Sequence, residues 1–279
     1  MDLPKDTPEY ARTFLDGLKE AGVSVVAALP ESLLGSVYRL LRQQNEIRYV
    51  QVTNESELPG ICVGVGETHE GPPEPWLKAF PHKTLAGHPQ LASHIVKTAL
   101  HHDFEPSVSY KLALDHGFVI PLWKAGIEPL PPIVPVIFND LEPPLPTVKR
   151  CYAWGTMLAE AIASYPGDLR VAVLATGGLS HSIGEPTMGE IDEAFDRACI
   201  GHFESGNRNA LVDFLTERLP RTGNGAAEVR NWVAAHGAAG GCGFELIRYD
   251  PIPEVYVGCG FASWKLQAAA DGRRQDQHR

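Results

Sequence analysis

The chain has 279 residues, 44% of them hydrophobic, and its 24 Lys and Arg stand against 34 Asp and Glu, for a net charge of −10. This acidic balance excludes broad affinity for nucleic acid or for an anionic membrane. No apolar run reaches the roughly 20 residues that cross a bilayer, and residues 1–6 do not resemble a secretory signal. The five cysteines form no Cys-x-x-Cys pair, which favours reduced thiols. We therefore expect a cytoplasmic globular protein that acts on a small molecule.

The first 60 residues alternate helix-like and strand-like patterns. Apolar residues between Pro8 and Gly22 recur on one helical face, and residues 33–41 have the same periodicity. Residues 23–29 and 47–52 are apolar and β-branched, as buried strands are. The pattern predicts an α/β segment at the amino end.

A stretch rich in Gly and Pro lies between Gly66 and Pro89 and predicts a loop or junction. Beyond it, residues 91–101 are amphipathic, and residues 133–138 and 171–176 are candidates for buried strands. Strands that alternate with helices predict a largely parallel sheet covered by helices. The predicted fold class is α/β, with an α/β amino-terminal segment of its own.

One histidine follows the second of these predicted strands. The apolar run 171–176 leads into Gly177 and Gly178, so His181 is expected at the carboxyl end of a buried strand, where α/β sheets bind ligands. Its imidazole titrates near neutral pH, which suits a general base. A histidine in such a loop also serves as a structural hydrogen bonder, and position alone leaves both roles open.

Two histidine motifs resemble those of class III extradiol dioxygenases. Gly177-Gly178-Leu179-Ser180-His181, followed by Gly184-Glu185-Pro186 and Ile191-Asp192-x-x-Phe195-Asp196, is similar to the catalytic-base segment of the protocatechuate 4,5-dioxygenase β-subunit family. Residues 114–122, with Asp115-His116-Gly117, resemble the segment that carries the family's second active-site histidine. The resemblance covers residues 62–279 and implies catalytic roles for His181 and His116.

A third motif contains a candidate metal ligand. Residues 226–235 resemble the family's helix that supplies a carboxylate to iron, which implies that Glu228 is a metal ligand. A Glu in the first turn of a helix is also explained by the helix dipole. Both readings of Glu228 remain open from the sequence.

The resemblance implies a reaction and a cofactor. A catechol would bind Fe(II) held by two histidines and one glutamate, with open positions for dioxygen. His181 would remove a catechol proton, His116 would steer or protonate the oxygen species, and the ring would open beside its two hydroxyls to a muconic semialdehyde. The family places both ligand histidines near the amino terminus, whereas the first histidine here is His69. We expect His69 and His82 to be surface or helix residues and not replacement ligands.

The amino-terminal segment has a different resemblance. Residues 8–66 resemble the pyrimidine-binding domain of sulfopyruvate and phosphonopyruvate decarboxylases, which use thiamine diphosphate with magnesium. Glu55 occupies the position of the family's cofactor-binding glutamate, but Pro59 departs from the pattern and the chain has no Gly-Asp-Gly motif. The two resemblances divide the chain into residues 1–66, a truncated decarboxylase-like segment, and residues 67–279, a dioxygenase-like domain.

Three hypotheses follow from the sequence. The first is an iron-dependent extradiol dioxygenase, the second a thiamine-dependent 2-oxoacid decarboxylase subunit, and the third a non-catalytic binding subunit or relic of a gene fusion. The missing histidines favour the third over an active form of the first. A homo-oligomer or a partner subunit would also be compatible with an incomplete site.

Overall fold

The computed structural model describes residues 60–266 except 75, 76, 78, 127, 128, 141 and 142, together with residues 25–28 and 48–51 and positions 13, 16, 19 and 20. The chain divides into two compact units, Met1–Leu58 and Pro59–Arg279. The predicted domain boundary after residue 66 lies further along the chain than this division. Among the helices that the structure describes, none has the length and apolar character needed to cross a bilayer.

The first unit contains two parallel strands, β1 (Val25–Ala28) and β2 (Arg48–Gln51), whose register pairs Val25 with Arg48. They lie inside the two strands predicted for this segment. Positions 13, 16, 19 and 20 are helical, within the helix predicted to begin at Pro8. The predicted helix at 33–41 and the candidate residue Glu55 lie outside the described residues.

The second unit alternates short strands with longer helices. Its described strands are β3 (Ile61–Gly64), β4 (Thr68–Glu70), β5 (Thr84–Ala86), β6 (Ser107–Ser109), β7 (Val136–Phe138), β8 (Phe244–Ile252) and β9 (Val257–Trp264). Its described α-helices are α1 (Pro89–His101), α2 (His116–Lys124), α3 (Val148–Ser164), α4 (Glu193–Ser205), α5 (Arg208–Arg218) and α6 (Val229–Ala238). Short 3-10 helices span Leu219–Arg221, Gly225–Glu228 and Pro253–Val255. The unit therefore mixes helices with small sheets, as an α/β fold does.

The sheets of this unit are small and mixed in direction. β3 lies between β6, which is parallel to it, and β7, which is antiparallel, while β4–β5 and β8–β9 are antiparallel hairpins. The predicted strand at 133–138 is confirmed over the three residues of β7. The strands that the structure describes do not form the predicted largely parallel sheet, because antiparallel pairs predominate in this unit.

The predicted strand at residues 171–176 is wrong in the described structure, which has no regular secondary structure there. Val173 and Leu174 are 44% and 63% exposed instead of buried. An isolated strand leaves its backbone N–H and C=O groups without partners, so an apolar run becomes a strand only beside another strand. No described strand pairs with this run.

Helices α3 and α6 cross closely in the core of the second unit. A Cβ atom added to Gly155 of α3 would lie 1.9 Å from the carbonyl oxygen of Ala234, and one added to Gly237 of α6 would lie 2.3 Å from that of Tyr152. The helices approach this closely because each has a glycine at the crossing. Trp154, beside Gly155, is 1% exposed. This packing fixes the second half of α6, a helix whose first turn contacts the candidate site.

Candidate active site

The segment from Leu179 to His181 is held against strand β9. The N–H of Leu179 donates to the carbonyl oxygen of Gly258 at 2.9 Å, and the N–H of Gly258 donates to that of Ser180 at 3.0 Å. The Leu179 side chain is fully buried. Reciprocal backbone hydrogen bonds and a buried anchor therefore fix the backbone that carries His181.

A buried carboxylate holds the same segment from the other side. Asp196, on α4, is fully buried, and its Oδ1 accepts the Ser180 N–H at 2.8 Å. Its Oδ2 accepts the Ser180 hydroxyl at 2.9 Å and the Tyr249 hydroxyl at 2.7 Å. The Ser180 Oγ in turn accepts the N–H of Asp192 at 2.8 Å. Burial raises the pKa of Asp196, against the opposing effect of hydrogen bonds from Tyr249 and Ser180.

The His181 imidazole is held in one tautomer by a hydrogen bond to its own loop. The ring is 7% exposed, and its Nδ1 lies 2.9 Å from the carbonyl oxygen of Leu179. Because a carbonyl oxygen only accepts, Nδ1 carries the proton, and Nε2 of the neutral ring has the free lone pair. This Nε2 lies 3.8 Å from Oε1 of Glu228. The basic nitrogen therefore faces the predicted carboxylate ligand.

Glu228 ends the 3-10 helix that precedes α6, and its carboxylate contacts the glycine pair before His181. Its Oε2 accepts the N–H of Gly178 at 2.6 Å. Gly177 has a φ of +118°, and a Cβ there would lie 2.6 Å from the Cβ of Glu228. Only glycine allows this backbone conformation and this approach. The two glycines of the motif thus bring Glu228 and His181 together.

Side chains of the first turn of α6 donate hydrogen bonds to the loop that precedes His181. The side-chain amide of Asn231 donates to the carbonyl oxygen of Thr176 at 3.1 Å, and the indole N–H of Trp232 donates to that of Gly177 at 3.1 Å. The helix dipole explanation of Glu228 is therefore incomplete, because Glu228, Asn231 and Trp232 all form hydrogen bonds with the loop before His181.

His116 is the first residue of helix α2. Asp115 caps the helix by accepting the N–H of Gly117 at 3.0 Å. The His116 side chain is 56% exposed, and its Nδ1 lies 2.8 Å from Oε1 of Glu74, which also accepts the His116 N–H at 2.9 Å. Burial raises the pKa of Glu74, but the hydrogen bonds from His116 outweigh it and the net pKa is lowered. Glu74 therefore orients this imidazole.

Two observations place the start of α2 near the His181 loop. A Cβ on Gly117 would lie 3.6 Å from the Oγ1 of Thr176. Burial and the charge of Glu228 raise the pKa of Asp140 to about 6, with a smaller rise from Asp115 and a lowering by Arg230. Asp140 therefore lies within electrostatic reach of both Glu228 and the residue before His116. The structure therefore brings His181 and Glu228 together and places the start of α2 beside Thr176, in the segment that leads to His181.

Asp140 and the Asp196 network were missed by sequence reasoning. Asp140 follows the apolar strand β7 after one Asn, which is a weak signal for a residue at the end of a strand. Asp196 is an acidic residue within the motif that carries the family resemblance, yet the sequence gives no indication of its partner Tyr249, because the two are far apart along the chain.

The described residues do not fit a site of two histidines and one carboxylate. The single group of three metal-type donors that they bring within 4.8 Å of one another consists of Glu74, Asp115 and His116, which has one histidine. Close to Glu228 the described residues provide His181 alone as a histidine partner. These described residues alone therefore do not assemble a three-ligand iron site.

The expectation that His69 is a surface or helix residue is wrong. His69 lies in strand β4 and is fully buried, and its Nδ1 accepts the N–H of Leu112 at 3.2 Å. Burial lowers the pKa of His69. A Cβ on Gly87 would lie 3.2 Å from its Nε2, so the ring packs against the backbone of that residue. The hydrogen bond satisfies Nδ1, whereas the buried Nε2 has no hydrogen-bond partner among the described residues.

Comparison with known proteins identifies the family. Residues 57–260 match the family described as the catalytic LigB subunit of aromatic ring-opening dioxygenase. The chain belongs to this family. The match spans His116, His181 and Glu228, and it confirms the resemblance to class III extradiol dioxygenases that the histidine motifs indicate.

Individual relatives agree with this assignment. The chain is 32% identical over 158 residues to a gallate dioxygenase of Pseudomonas putida, covering 55% of this chain and 46% of that protein. It is 28% identical over 222 residues to a 2,3-dihydroxyphenylpropionate/2,3-dihydroxicinnamic acid 1,2-dioxygenase of Xanthobacter autotrophicus, covering 62% of this chain and 70% of that protein. The chain thus spans about half the length of the gallate dioxygenase. None of these matches supports the decarboxylase resemblance of residues 8–66, which stays a prediction.

Proposed function

We propose that this LigB-family chain binds a catechol-type aromatic diol beside His181 and Glu228, and that its reaction is extradiol opening of that ring by dioxygen. The observation that carries the proposal is the geometry of His181. Its Nδ1 is held by the Leu179 carbonyl oxygen and its Nε2 lies 3.8 Å from Glu228, within a segment that the family match covers. The substrates for which these two relatives are named share one chemical class, an aromatic ring with neighbouring hydroxyls.

The chain's own residues account for the proton transfers. Nε2 of His181 takes the proton of one ring hydroxyl, and the nearby Glu228 carboxylate stabilises the imidazolium that forms. His116, oriented through Nδ1 by Glu74, offers its other ring nitrogen from a half-exposed position to the second hydroxyl or to oxygen. Both histidines thus act as proton donors and acceptors, and neither role requires it to ligate a metal.

The oxygen step needs a metal centre that the described residues do not assemble. Fe(II) is the family's expected cofactor and Glu228 the proposed ligand, but the two amino-terminal ligand histidines are absent from the sequence. This observation favours an alternative, in which the chain binds the diol without opening it. A second copy or another subunit that contributes ligands would restore the dioxygenase.

We propose a cytoplasmic location, supported by five cysteines that are not in disulfides, as suits a reducing compartment. The decarboxylase hypothesis concerns Glu55 and predicts binding of thiamine diphosphate with magnesium. Calorimetric titration of the chain with that cofactor tests it directly. Absence of heat at saturating cofactor would remove the hypothesis without affecting the diol proposal.

The diol proposal is tested with the full chain purified without oxygen. The probe is 4-nitrocatechol, whose colour changes when a ring hydroxyl ionises. Wild type should bind and ionise it, His181→Gln should bind without ionising it, and Ser182→Ala, from the same loop, should behave as wild type. No binding by wild type would overturn the proposal.

Ring opening is tested on the same preparation. After loading with Fe(II), iron per chain and oxygen uptake with catechol are measured for wild type and Glu228→Ala. Near-stoichiometric iron that falls in the variant, together with oxygen uptake, supports the dioxygenase. Diol binding with no specific iron supports the non-catalytic alternative.

A further inference from the structure

Hydrogen bonds among three side chains connect strand β8 to the residue before His181. The Tyr249 hydroxyl donates to Oδ2 of Asp196, and both the N–H and the hydroxyl of Ser180 donate to the same carboxylate, at 2.7, 2.8 and 2.9 Å. This Tyr249–Asp196–Ser180 network joins β8, α4 and the histidine loop. Asp196 is fully buried, so water does not supply alternative donors.

The groups packed around the Asp196 carboxylate fix its position. A Cβ on Gly258 would lie 2.1 Å from Oδ2 of Asp196, so the β9 backbone packs directly on the carboxylate. Arg197 lies over the Tyr249 ring at 5.2 Å and Arg218 pairs with Asp192 at 3.4 Å, so neither guanidinium is the carboxylate's partner in these contacts. A buried carboxylate is costly unless directed hydrogen bonds satisfy it. Here those bonds come from Ser180 and Tyr249.

The network constrains the histidine through the backbone. Both the N–H and the hydroxyl of Ser180 donate to Asp196, while the Ser180 carbonyl oxygen accepts the N–H of Gly258. The carbonyl oxygen of Leu179, which accepts the Nδ1 proton of His181, belongs to the peptide that contains the Ser180 nitrogen. Displacing Ser180 would therefore move the acceptor that fixes the imidazole tautomer.

We propose that Asp196 is a positioning residue for His181: through Ser180 it sets the Leu179 carbonyl oxygen so that Nδ1 keeps the proton and Nε2 faces Glu228 as the basic nitrogen. This inference rests on the proposed function of His181 as the base that deprotonates the diol. Asp196 touches neither the imidazole nor the reacting atoms in this arrangement. Tyr249 donates a hydrogen bond to Asp196. It therefore also helps to position His181, acting through Asp196 and Ser180.

The test compares Tyr249→Phe, Ser180→Ala and Asp196→Asn with wild type. The matched control is Ser182→Ala, since Ser182 also flanks His181 but bonds to Thr187 and not to Asp196. The first readout is the tautomer of His181 from imidazole ¹⁵N NMR, with His181→Gln identifying its signals. The second is ionisation of bound 4-nitrocatechol, with its dissociation constant measured separately.

In the network variants we expect the Nδ1–H tautomer of His181 to be replaced by a mixture of both tautomers. The ionised fraction of bound 4-nitrocatechol should fall by about tenfold, while the dissociation constant of the probe changes by less than about twofold. Ser182→Ala should match wild type in both readouts. An unchanged tautomer in Tyr249→Phe and Ser180→Ala, even with lower thermal stability, would show that the network only stabilises the fold and would overturn the inference.

The two proposals fail in distinguishable ways. If wild type does not ionise 4-nitrocatechol but the tautomer still shifts in the network variants, the proposed function fails and the positioning role of Asp196 stands. If wild type ionises the probe and the variants keep both tautomer and ionisation, only the positioning role fails. Should Asp196→Asn not fold, Tyr249→Phe decides the question, because it removes one hydroxyl and keeps the ring.

Discussion

The Nε2 atom of His181 lies 3.8 Å from Oε1 of Glu228, two residues that are far apart in the sequence. The contact depends on the glycine pair that precedes Leu179, since Gly178 donates its N–H to Glu228 and Gly177 leaves room for its side chain. At 3.8 Å the two groups are too far apart for a direct hydrogen bond, but the carboxylate is close enough to stabilise a positive charge on the imidazole.

Gly225→Ala is expected to displace the His181 imidazole. A Cβ at this position would lie 2.2 Å from both Nε2 and Cδ2 of His181, so the ring must rotate away. Ionisation of bound 4-nitrocatechol should fall by about a hundredfold, a typical cost of misplacing a catalytic group by an ångström. The measurement is the visible spectrum of the bound probe.

Gly201→Ala is the control for that variant. Gly201 lies in α4, is exposed, and has no atom within 4 Å of an added Cβ. Its substitution should leave ionisation unchanged. Equal activity of Gly225→Ala and wild type would show that His181 does not act from the position seen here.

Gly155→Ala is expected to destabilise the second unit. The added Cβ would meet the carbonyl oxygen of Ala234 at 1.9 Å and force α3 and α6 apart. Overpacking of this kind costs about 1–3 kcal/mol. Urea unfolding measures the free energy, and Gly201→Ala, again an exposed helical glycine, should instead gain up to about 1 kcal/mol. A Gly155→Ala protein as stable as wild type would contradict the close crossing of the helices.

Much of the candidate site could be predicted from the sequence because its motifs are local. The Gly-Gly-Leu-Ser-His run contains both His181 and the glycines that admit Glu228, so the motif indicated these residues, and their catalytic roles are what the family resemblance implies. The amphipathic helix at residues 91–101 was predicted for the same reason, and α1 confirms it with Leu91, Ile95 and Ala99 buried.

Features that depend on distant partners could not be predicted. Residues 171–176 have the composition of a buried strand, but a strand also requires a neighbour, and sequence pattern does not supply one. Tyr249 and Asp196 meet only because β8 folds back beside α4. His69 is buried in β4, where the Leu112 N–H donates to its Nδ1, a contact that composition does not reveal.

Asp140→Asn is expected to stabilise the protein at neutral pH. The folded-state pKa is raised to about 6 from 3.8, chiefly by burial and by the charge of Glu228. The folded protein therefore binds more protons than the unfolded chain between these values, so Asp140 costs stability that is regained as the pH falls from 6 to about 4. Removing the charge should increase the free energy of unfolding by about 1–2 kcal/mol near pH 7.5, after allowance for the partial exposure of Asp140.

Urea unfolding of Asp140→Asn at several pH values provides the measurement. The gain in unfolding free energy should shrink as the pH falls below 6 and disappear below 3.8, where Asp140 is protonated in both states. Asp213→Asn, an exposed position on α5, should show neither effect. A gain that is the same at every pH would mean that the charge of Asp140 is not its cause.

His236 should make the protein less stable in mild acid. The ring is fully buried and its Nδ1 accepts the indole N–H of Trp264 at 2.9 Å. Burial lowers the pKa of His236 from 6.5 to about 4. Between these values the unfolded chain binds a proton that the folded protein does not, so stability is complete above pH 6.5 and falls as the pH drops towards 4, by on the order of 3 kcal/mol.

His236→Asn tests this pH dependence, because the Asn side-chain oxygen can accept the Trp264 N–H but does not titrate. Unfolding free energies measured from about pH 7.5 to 4.5 should decline less steeply for this variant than for wild type. The control His101→Asn, at an exposed histidine on α1, should retain the wild-type slope. Parallel curves for His236→Asn and wild type would show that the buried imidazole is not responsible for the loss of stability in acid.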